Sequence, residues 1–86
     1  MARIEFDLDV LKPHLPSNFE LAKGLKNLSG ALYVSIKTEE IDNLTTSIIV
    51  TIRGNDQLEL KDIQECLEDM NCALHSVDRV VIDNEQ

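Results

Sequence analysis

Aromatic residues are scarce in this chain of 86 residues: Phe6, Phe19 and Tyr33 make up 3% of it, and tryptophan is absent. Proteins that bind single-stranded nucleic acid stack the bases on aromatic side chains. Basic residues are also few, with 8 Lys and Arg against 16 Asp and Glu, which gives a net charge of −8. Because such a strongly acidic protein repels a phosphate backbone, we do not expect nucleic acid as a partner.

Cysteines and long apolar runs are equally sparse. Cys66 and Cys72 form no C-x-x-C pair, so we interpret them as packing residues rather than as a redox or zinc site. No apolar run approaches the roughly 20 residues of a membrane-spanning helix. The N-terminus lacks the charged-then-apolar layout of a signal peptide. We therefore expect a cytoplasmic protein without a membrane partner.

The hydrophobic periodicity along the chain is its most informative positive feature. Segments with the alternating pattern of a strand and segments with the pattern of an amphipathic helix follow one another in the order strand, helix, strand, strand, helix, strand. Ser17 and Glu20 have capping-box spacing at the start of the first helix, and Gly30 is suited to ending it. The predicted strands are 3–11, 31–41, 46–53 and 72–82, and the predicted helices begin near Ser17 and near residue 59.

This order of elements predicts the topology of the fold. Right-handed crossovers place the first two strands parallel, with the third strand between them and the fourth beside the first. The expected fold class is α+β: a single domain over residues 1–86, a ferredoxin-like βαββαβ two-layer sandwich with antiparallel sheet order 4-1-3-2. Both helices cover one face of the sheet, and Leu32, Val34 and Ile36 of the second strand are expected to point toward them.

The other face of the sheet is left for solvent or for a partner. Glu5, Asp7 and Asp9 are expected on it, together with two apolar residues, Tyr33 and Ile49. Two large apolar side chains on an otherwise wet surface are typical of an association site, although isolated exposed hydrophobic residues are also normal. We therefore predict a protein interface at Tyr33 and Ile49.

The fourth strand has a pattern that does not alternate cleanly. A β-bulge between positions 74 and 79 would reconcile its two faces, and bulges often redirect functional side chains. The start of this strand is expected near the end of the first strand, because the two run antiparallel. Carboxylates and imidazoles are ligands for divalent cations. We predict a metal site, with solvated carboxylates and structural histidines as the alternative, from the residues Asp7, Asp9, His14, His75 and Asp78.

The loop after the first strand argues against several activities known for this fold. Two prolines in the segment 12–16 remove backbone donors, so the loop cannot cradle a phosphate as an acylphosphatase loop does. The same loop lacks the C-x-x-C of a copper chaperone. No Ser or Cys nucleophile is paired in sequence with a base. We therefore expect a protein that is not an enzyme and has no catalytic residues.

Four short strings carry a resemblance to a known family: D-V-L-K-P-H at 9–14, E-I-D at 40–42, V-T-I-R-G at 50–54 and L-H-S-V-D at 74–78. Over residues 4–81 the chain resembles the small archaeal proteins of domain-of-unknown-function family 211. The resemblance implies a ferredoxin-like fold, homo-oligomeric rings, an archaeal cytoplasm and no established activity. It also implies that some members bind divalent cations such as calcium. The chain departs from the family pattern at 71–73, at 45–47 and after Val81, and the second departure puts in doubt a cation site that uses that turn.

Three functional hypotheses follow from the sequence. The first is a non-enzymatic homo-oligomer that acts as a ring-like binding or scaffold protein. A chain this short buries only about 60–65% of its unfolded surface, so we expect modest stability, and association with copies of itself is a common remedy. The second is a divalent-cation-binding protein, with Ca²⁺ or another divalent ion as the only cofactor considered. The third is a small-molecule regulatory module that holds a metabolite between subunits.

Overall fold

The computed structural model describes residues 2–84. The strands are β1 (Ala2–Pro13), β2 (Ala31–Ile41), β3 (Thr45–Gly54) and β4 (Ala73–Asn84), and the helices are α1 (Asn18–Lys26) and α2 (Leu60–Asp69). The sheet order is β2-β3-β1-β4, with all neighbouring strands antiparallel. The predicted ferredoxin-like α+β fold and its strand order are therefore confirmed. Neither helix in this part of the chain is long and apolar enough to cross a membrane.

The hydrophobic core lies between the sheet and the two helices. Alternate residues of β1 and β3 face the helices, as the period of two predicted, and Leu8, Val10, Ile48 and Val50 are fully buried there. The helices complete this core with four buried side chains: Leu21 and Leu25 of α1, and Ile63 and Leu67 of α2. Burial of such side chains is the main favourable contribution to folding.

The ends of the elements follow from local chemistry. Ser17 caps α1 with the reciprocal capping box that the sequence predicted, because its side chain accepts from the Glu20 amide and the Glu20 carboxylate accepts from the Ser17 amide. Gly30 has a φ of +80°, which glycine adopts without strain. Gly24 lies beside Cys66 of α2 and beside Met70, the residue that follows α2, so this glycine marks a close approach between the helices.

Bulges shape both edge strands of the sheet. In β4 the pairing with β1 shifts twice, so that Asp78 and His75 are the extra residues, and this confirms the predicted bulge between 74 and 79. In β2 the register shifts between Ala31 and Tyr33. Leu32 is the extra residue there and is 64% exposed, so its predicted inward position is wrong, and Ala31 takes the buried place.

Candidate functional site

The open face of the sheet is a network of paired charges rather than a row of unopposed carboxylates. Glu5 binds two arginines at once: Arg53 Nε lies 2.8 Å from Oε1, and Arg79 Nη1 lies 2.9 Å from Oε2. Arg3 makes a two-pronged contact with Asp83, at 3.1 and 2.6 Å. Such charge-assisted pairs hold three strands together and neutralise much of the acidity that the sequence suggested for this face.

Asp7 and Asp9 continue this network along β1. Asp7 accepts a hydrogen bond of 2.8 Å from Thr51 of β3 and lies 3.9 Å from Arg79. Asp9 lies 3.4 Å from His75 Nδ1, and both of these side chains are partly exposed. The bulge in β4 explains the second pair, because His75 is an extra residue in the ladder beside Asp9. Asp9 and His75 are thus the part of the predicted metal site that the fold brings together.

The other predicted ligands have partners elsewhere. His14 Nε2 lies 2.9 Å from the Asn43 carbonyl and its Nδ1 lies 3.3 Å from Thr46 Oγ1, so this imidazole links the β1–α1 loop to the β2–β3 turn. Asp78 accepts a hydrogen bond of 2.6 Å from Ser76 in its own strand. Within residues 2–84 no group of three His, Cys, Asp or Glu side chains is arranged to hold a metal ion. The five predicted ligands therefore do not form one site within a chain.

Tyr33 and Ile49 both lie on the open face, but at different levels of the sheet. Tyr33 pairs with Arg53, whereas Ile49 pairs with Lys37 of β2 and Asp9 of β1. The Arg53 guanidinium lies 4.4 Å from the centre of the Tyr33 ring, which is the geometry of a cation–π contact. Ser35 and Thr51 separate the two apolar side chains along the strands. The two residues do not make one continuous apolar patch, and their role in an interface stays a prediction.

Two apolar surfaces were not anticipated from the sequence. The first is the part of β4 that no helix covers, where Val77, Val80 and Ile82 are 38%, 53% and 69% exposed. Val80 pairs with Phe6 and Ile82 with Ile4, which places both on the helix side of the sheet. The strands are longer than the helices, so α2 leaves this end of β4 uncovered. The apolar run at 80–82 is visible in the sequence, but the lengths of the helices decide whether its side chains are covered.

The second surface is a groove between α1 and β2, which we name the α1–β2 groove. It has a volume of about 410 Å³ and is lined by Phe19, Ala22, Lys23, Lys26, Asn27, Leu32, Tyr33 and Val34. Phe19 and Leu32 are its most exposed large apolar residues. The Lys23 ammonium lies 5.1 Å from the centre of the Phe19 ring. One feature of the sequence indicates this groove: Phe19 is a large apolar residue that lies off the apolar stripe of α1.

A second groove, lined by acidic residues, lies between the end of α1 and α2. Asp62, Glu65 and Asp69 line it beside Cys66. Burial, with a smaller contribution from Asp69, raises the pKa of the Cys66 thiol above its ordinary value of 9.0. Burial also raises the pKa of the Cys72 thiol, although Lys12 acts in the opposite direction. Thiols with raised pKa values are poor nucleophiles at neutral pH, which agrees with the interpretation of both cysteines as packing residues.

Lys12 is a buried lysine that holds the loop after β1. Its side chain continues the inward-facing positions of that strand and is only 3% exposed. The ammonium donates to the carbonyl oxygens of Pro13, His14 and Pro16, at 2.8, 3.4 and 2.7 Å. These three bonds satisfy a charge that would be costly to bury alone. Lys12 thereby holds the loop closed through three backbone carbonyl groups.

Comparison with known proteins gives a consistent result. A family model for domain of unknown function 211, described as "Uncharacterized ArCR", matches residues 5–85. A protein of the archaeon Methanocaldococcus jannaschii, named "Uncharacterized protein MJ0319", is 43% identical over 74 residues. That alignment covers 86% of this chain and 75% of the relative.

Proposed function

The chain belongs to archaeal domain-of-unknown-function family 211, and from this premise we propose that it is a cytoplasmic, non-enzymatic protein that acts as a homo-oligomer. The family description assigns no reaction. The oligomer would serve as a binding or scaffold unit, and the ring is the form that we expect it to take. The observation that carries this proposal is the uncovered apolar side of the edge strand β4.

The edge of β4 has the features of an association surface. Val77, Val80 and Ile82 form an exposed row on one side of a strand that is twelve residues long and has a neighbour on one edge only. An open strand edge presents backbone donors and acceptors to a second chain. A stable interface covers about 800 Å² per partner, and the chain exposes 5399 Å² in all. One side of the molecule is thus large enough for such a contact.

Light scattering on the purified protein tests this proposal. We expect the wild-type protein to have a mass of several chains at micromolar concentration. The double variant Val80→Lys, Ile82→Lys should have the mass of one chain, because two ammonium groups cannot be buried without partners. Leu44→Lys is the matched control, since Leu44 is 83% exposed at the opposite end of the sheet. A wild-type protein that is monomeric at these concentrations would refute self-association.

The contact between Asp9 and His75 favours a second candidate function, the binding of a divalent cation. One carboxylate and one imidazole supply two ligands, so a complete site would need further ligands from another chain or from water. Calorimetry with CaCl₂, MgCl₂ and ZnCl₂ tests this candidate, with His75→Ala as the variant that should lose the heat of binding. The absence of a heat signal up to millimolar ion would count against it.

A further inference from the structure

We propose that the loop tip, which is the end of the molecule formed by residues 14–16 and 41–44, binds a basic amphipathic helix of a partner protein. Three large apolar side chains are exposed there: Leu15, Ile41 and Leu44 are 77%, 71% and 83% exposed. Exposed apolar residues that cluster on a protein surface mark interaction sites. The loop tip shares no residue with β4 or with the α1–β2 groove, so binding there goes beyond the proposed self-association and does not depend on it.

The loop tip is uncovered because β1, β2 and β3 continue past the other elements. β4 begins level with Leu11, whereas β1 and β3 still pair at Pro13 and Thr45. On the helix side, the side-chain amide of the first residue of α1 donates to Thr38 Oγ1 at 3.0 Å, so Ile41 lies beyond the start of this helix. The exposed apolar side chains of the tip therefore lie where neither α1 nor β4 covers them.

Leu15 is held in place by hydrogen bonds on both sides, although its side chain is exposed. The Lys12 ammonium binds the carbonyl oxygens of His14 and Pro16, the two neighbours of Leu15, at 3.4 and 2.7 Å. His14 is also bound to the β2–β3 turn, because its Nε2 lies 2.9 Å from the Asn43 carbonyl oxygen. A surface that is ordered before its partner arrives loses less conformational entropy on binding.

The turn that carries Leu44 is ordered in the same way. The Asp42 amide donates to the Thr45 carbonyl oxygen at 2.8 Å, which closes the turn. The Asn43 carbonyl oxygen accepts the hydrogen bond from His14. Each of the two exposed leucines is the next residue after a member of this pair, so the bond holds both leucines at the same end of the sheet. Binding residues are commonly found on loops that a rigid scaffold positions.

Unpaired carboxylates flank these apolar side chains. Glu39, Glu40 and Asp42 stand beside the exposed isoleucine in sequence, and within residues 2–84 their side chains form no ion pair and no hydrogen bond. Acidic residues of the open face, by contrast, bind arginines. The segment 38–47 contains no lysine or arginine. The loop tip thus offers negative charge that lysine and arginine side chains of another protein complement.

The backbone at this end of the molecule favours a helix over an added strand as the bound segment. The pairing of β2 with β3 shifts between Thr38 and Glu40, and such a bulge bends the strand and interrupts the row of donors and acceptors along its edge. The partner would therefore contact side chains rather than extend the sheet. An amphipathic helix presents apolar residues three and four positions apart, with charged residues beside them. A basic helix of this kind matches apolar side chains that are flanked by carboxylates.

Fluorescence anisotropy with a synthetic helix measures this binding. The probe is a fluorescein-labelled peptide of about 18 residues, long enough to form a helix, with leucine on one face and lysine on the other, in a buffer that contains EDTA. We expect the wild-type protein to bind the probe with a dissociation constant below about 100 µM. The double variant Leu15→Ser, Leu44→Ser should weaken binding at least about tenfold. Glu39→Lys with Glu40→Lys should weaken it by a similar factor.

A matched control separates the loop tip from the net charge of the protein. Glu65→Lys with Glu68→Lys makes the same change in charge at two exposed positions of α2. At about 0.15 M salt, charges more than about 8 Å apart are largely screened, so this control should keep the dissociation constant within about twofold of the wild-type value. A second peptide, with glutamate in place of lysine, should not bind. Circular dichroism and light scattering on each variant establish that folding and assembly are unchanged.

Three outcomes would overturn the loop tip as a docking surface. The first is a wild-type protein that does not bind the lysine probe. The second is equal weakening in the tip and α2 charge variants, which would show attraction by net charge alone. The third is normal affinity in the leucine variant, because the apolar side chains would then contribute nothing. A monomeric wild-type protein that binds the probe would refute the proposed self-association and leave the loop tip as a binding surface.

Discussion

Replacement of Lys12 by methionine isolates the contribution of the buried ammonium to stability. Methionine keeps the unbranched stem of lysine, so the variant removes the charged donor with little change in packing. The carbonyl oxygens of Pro13, His14 and Pro16 would then lose the donor that binds them. A buried ion pair can often be replaced by apolar residues without loss, but here the acceptors belong to the backbone and remain in the variant.

The size of the effect follows from these three bonds. Two are short, at 2.7 and 2.8 Å, and the third is long, at 3.4 Å. A hydrogen bond to a charged group contributes about 1.5–3 kcal/mol, and water can reach part of this loop because His14 is exposed. We therefore expect a loss of about 3 kcal/mol in the free energy of unfolding, which is the lower end for two such bonds. For a domain of this size the melting temperature should fall by about 12–24 °C.

Urea unfolding followed by circular dichroism measures this loss. At the slope of about 1–1.5 kcal/mol per molar that suits a small domain, the midpoint should fall by about 2–3 M. Protein concentration must be equal in all samples, because assembly shifts apparent stability. Lys61→Met is the matched control: it removes the same charge from an exposed position on α2 and should change stability by less than about 0.5 kcal/mol. The reasoning fails if Lys12→Met is as stable as Lys61→Met.

Three further predictions test the packing, the cap and the thiols. Gly54→Ala should destabilise the protein by about 3 kcal/mol or more, because the added Cβ would overlap the carbonyl oxygen of Gly30. Gly24→Ala should be neutral or stabilising by up to about 1 kcal/mol, since only the flexible side chain of Met70 must move. Equal urea midpoints for the two variants would contradict this. Ser17→Ala should cost about 1 kcal/mol through loss of the α1 cap, and an unchanged unfolding curve would show that the cap contributes nothing. Because the pKa values of the Cys66 and Cys72 thiols are raised in the folded protein, the free energy of unfolding should fall as the pH rises above 9.0. Thiol titration and urea midpoints measured from pH 7 to 10.5 test this, and midpoints equal to those of a Cys66→Ser, Cys72→Ala variant at every pH would contradict it.

The sequence by itself determined the order of the elements and, with it, the topology. Apolar alternation and helical stripes are local patterns, and the handedness of crossovers leaves one arrangement for six elements in this order. The α1 cap was also readable, because Ser17 and Glu20 are three residues apart and need no other part of the chain. The broken alternation around 74–79 was sufficient to predict a bulge in β4, for the same reason.

Tertiary structure alone decided which side chains meet and which remain uncovered. His14 and His75 were both candidates for one site, yet His14 contacts the β2–β3 turn while His75 lies beside Asp9. Leu32 looked like a core residue until the register shift in β2 placed Ala31 in the core instead. Coverage of Val80 and Ile82 depends on where the helices end above the sheet. Such contacts depend on register and element length across distant segments, and a local pattern contains neither.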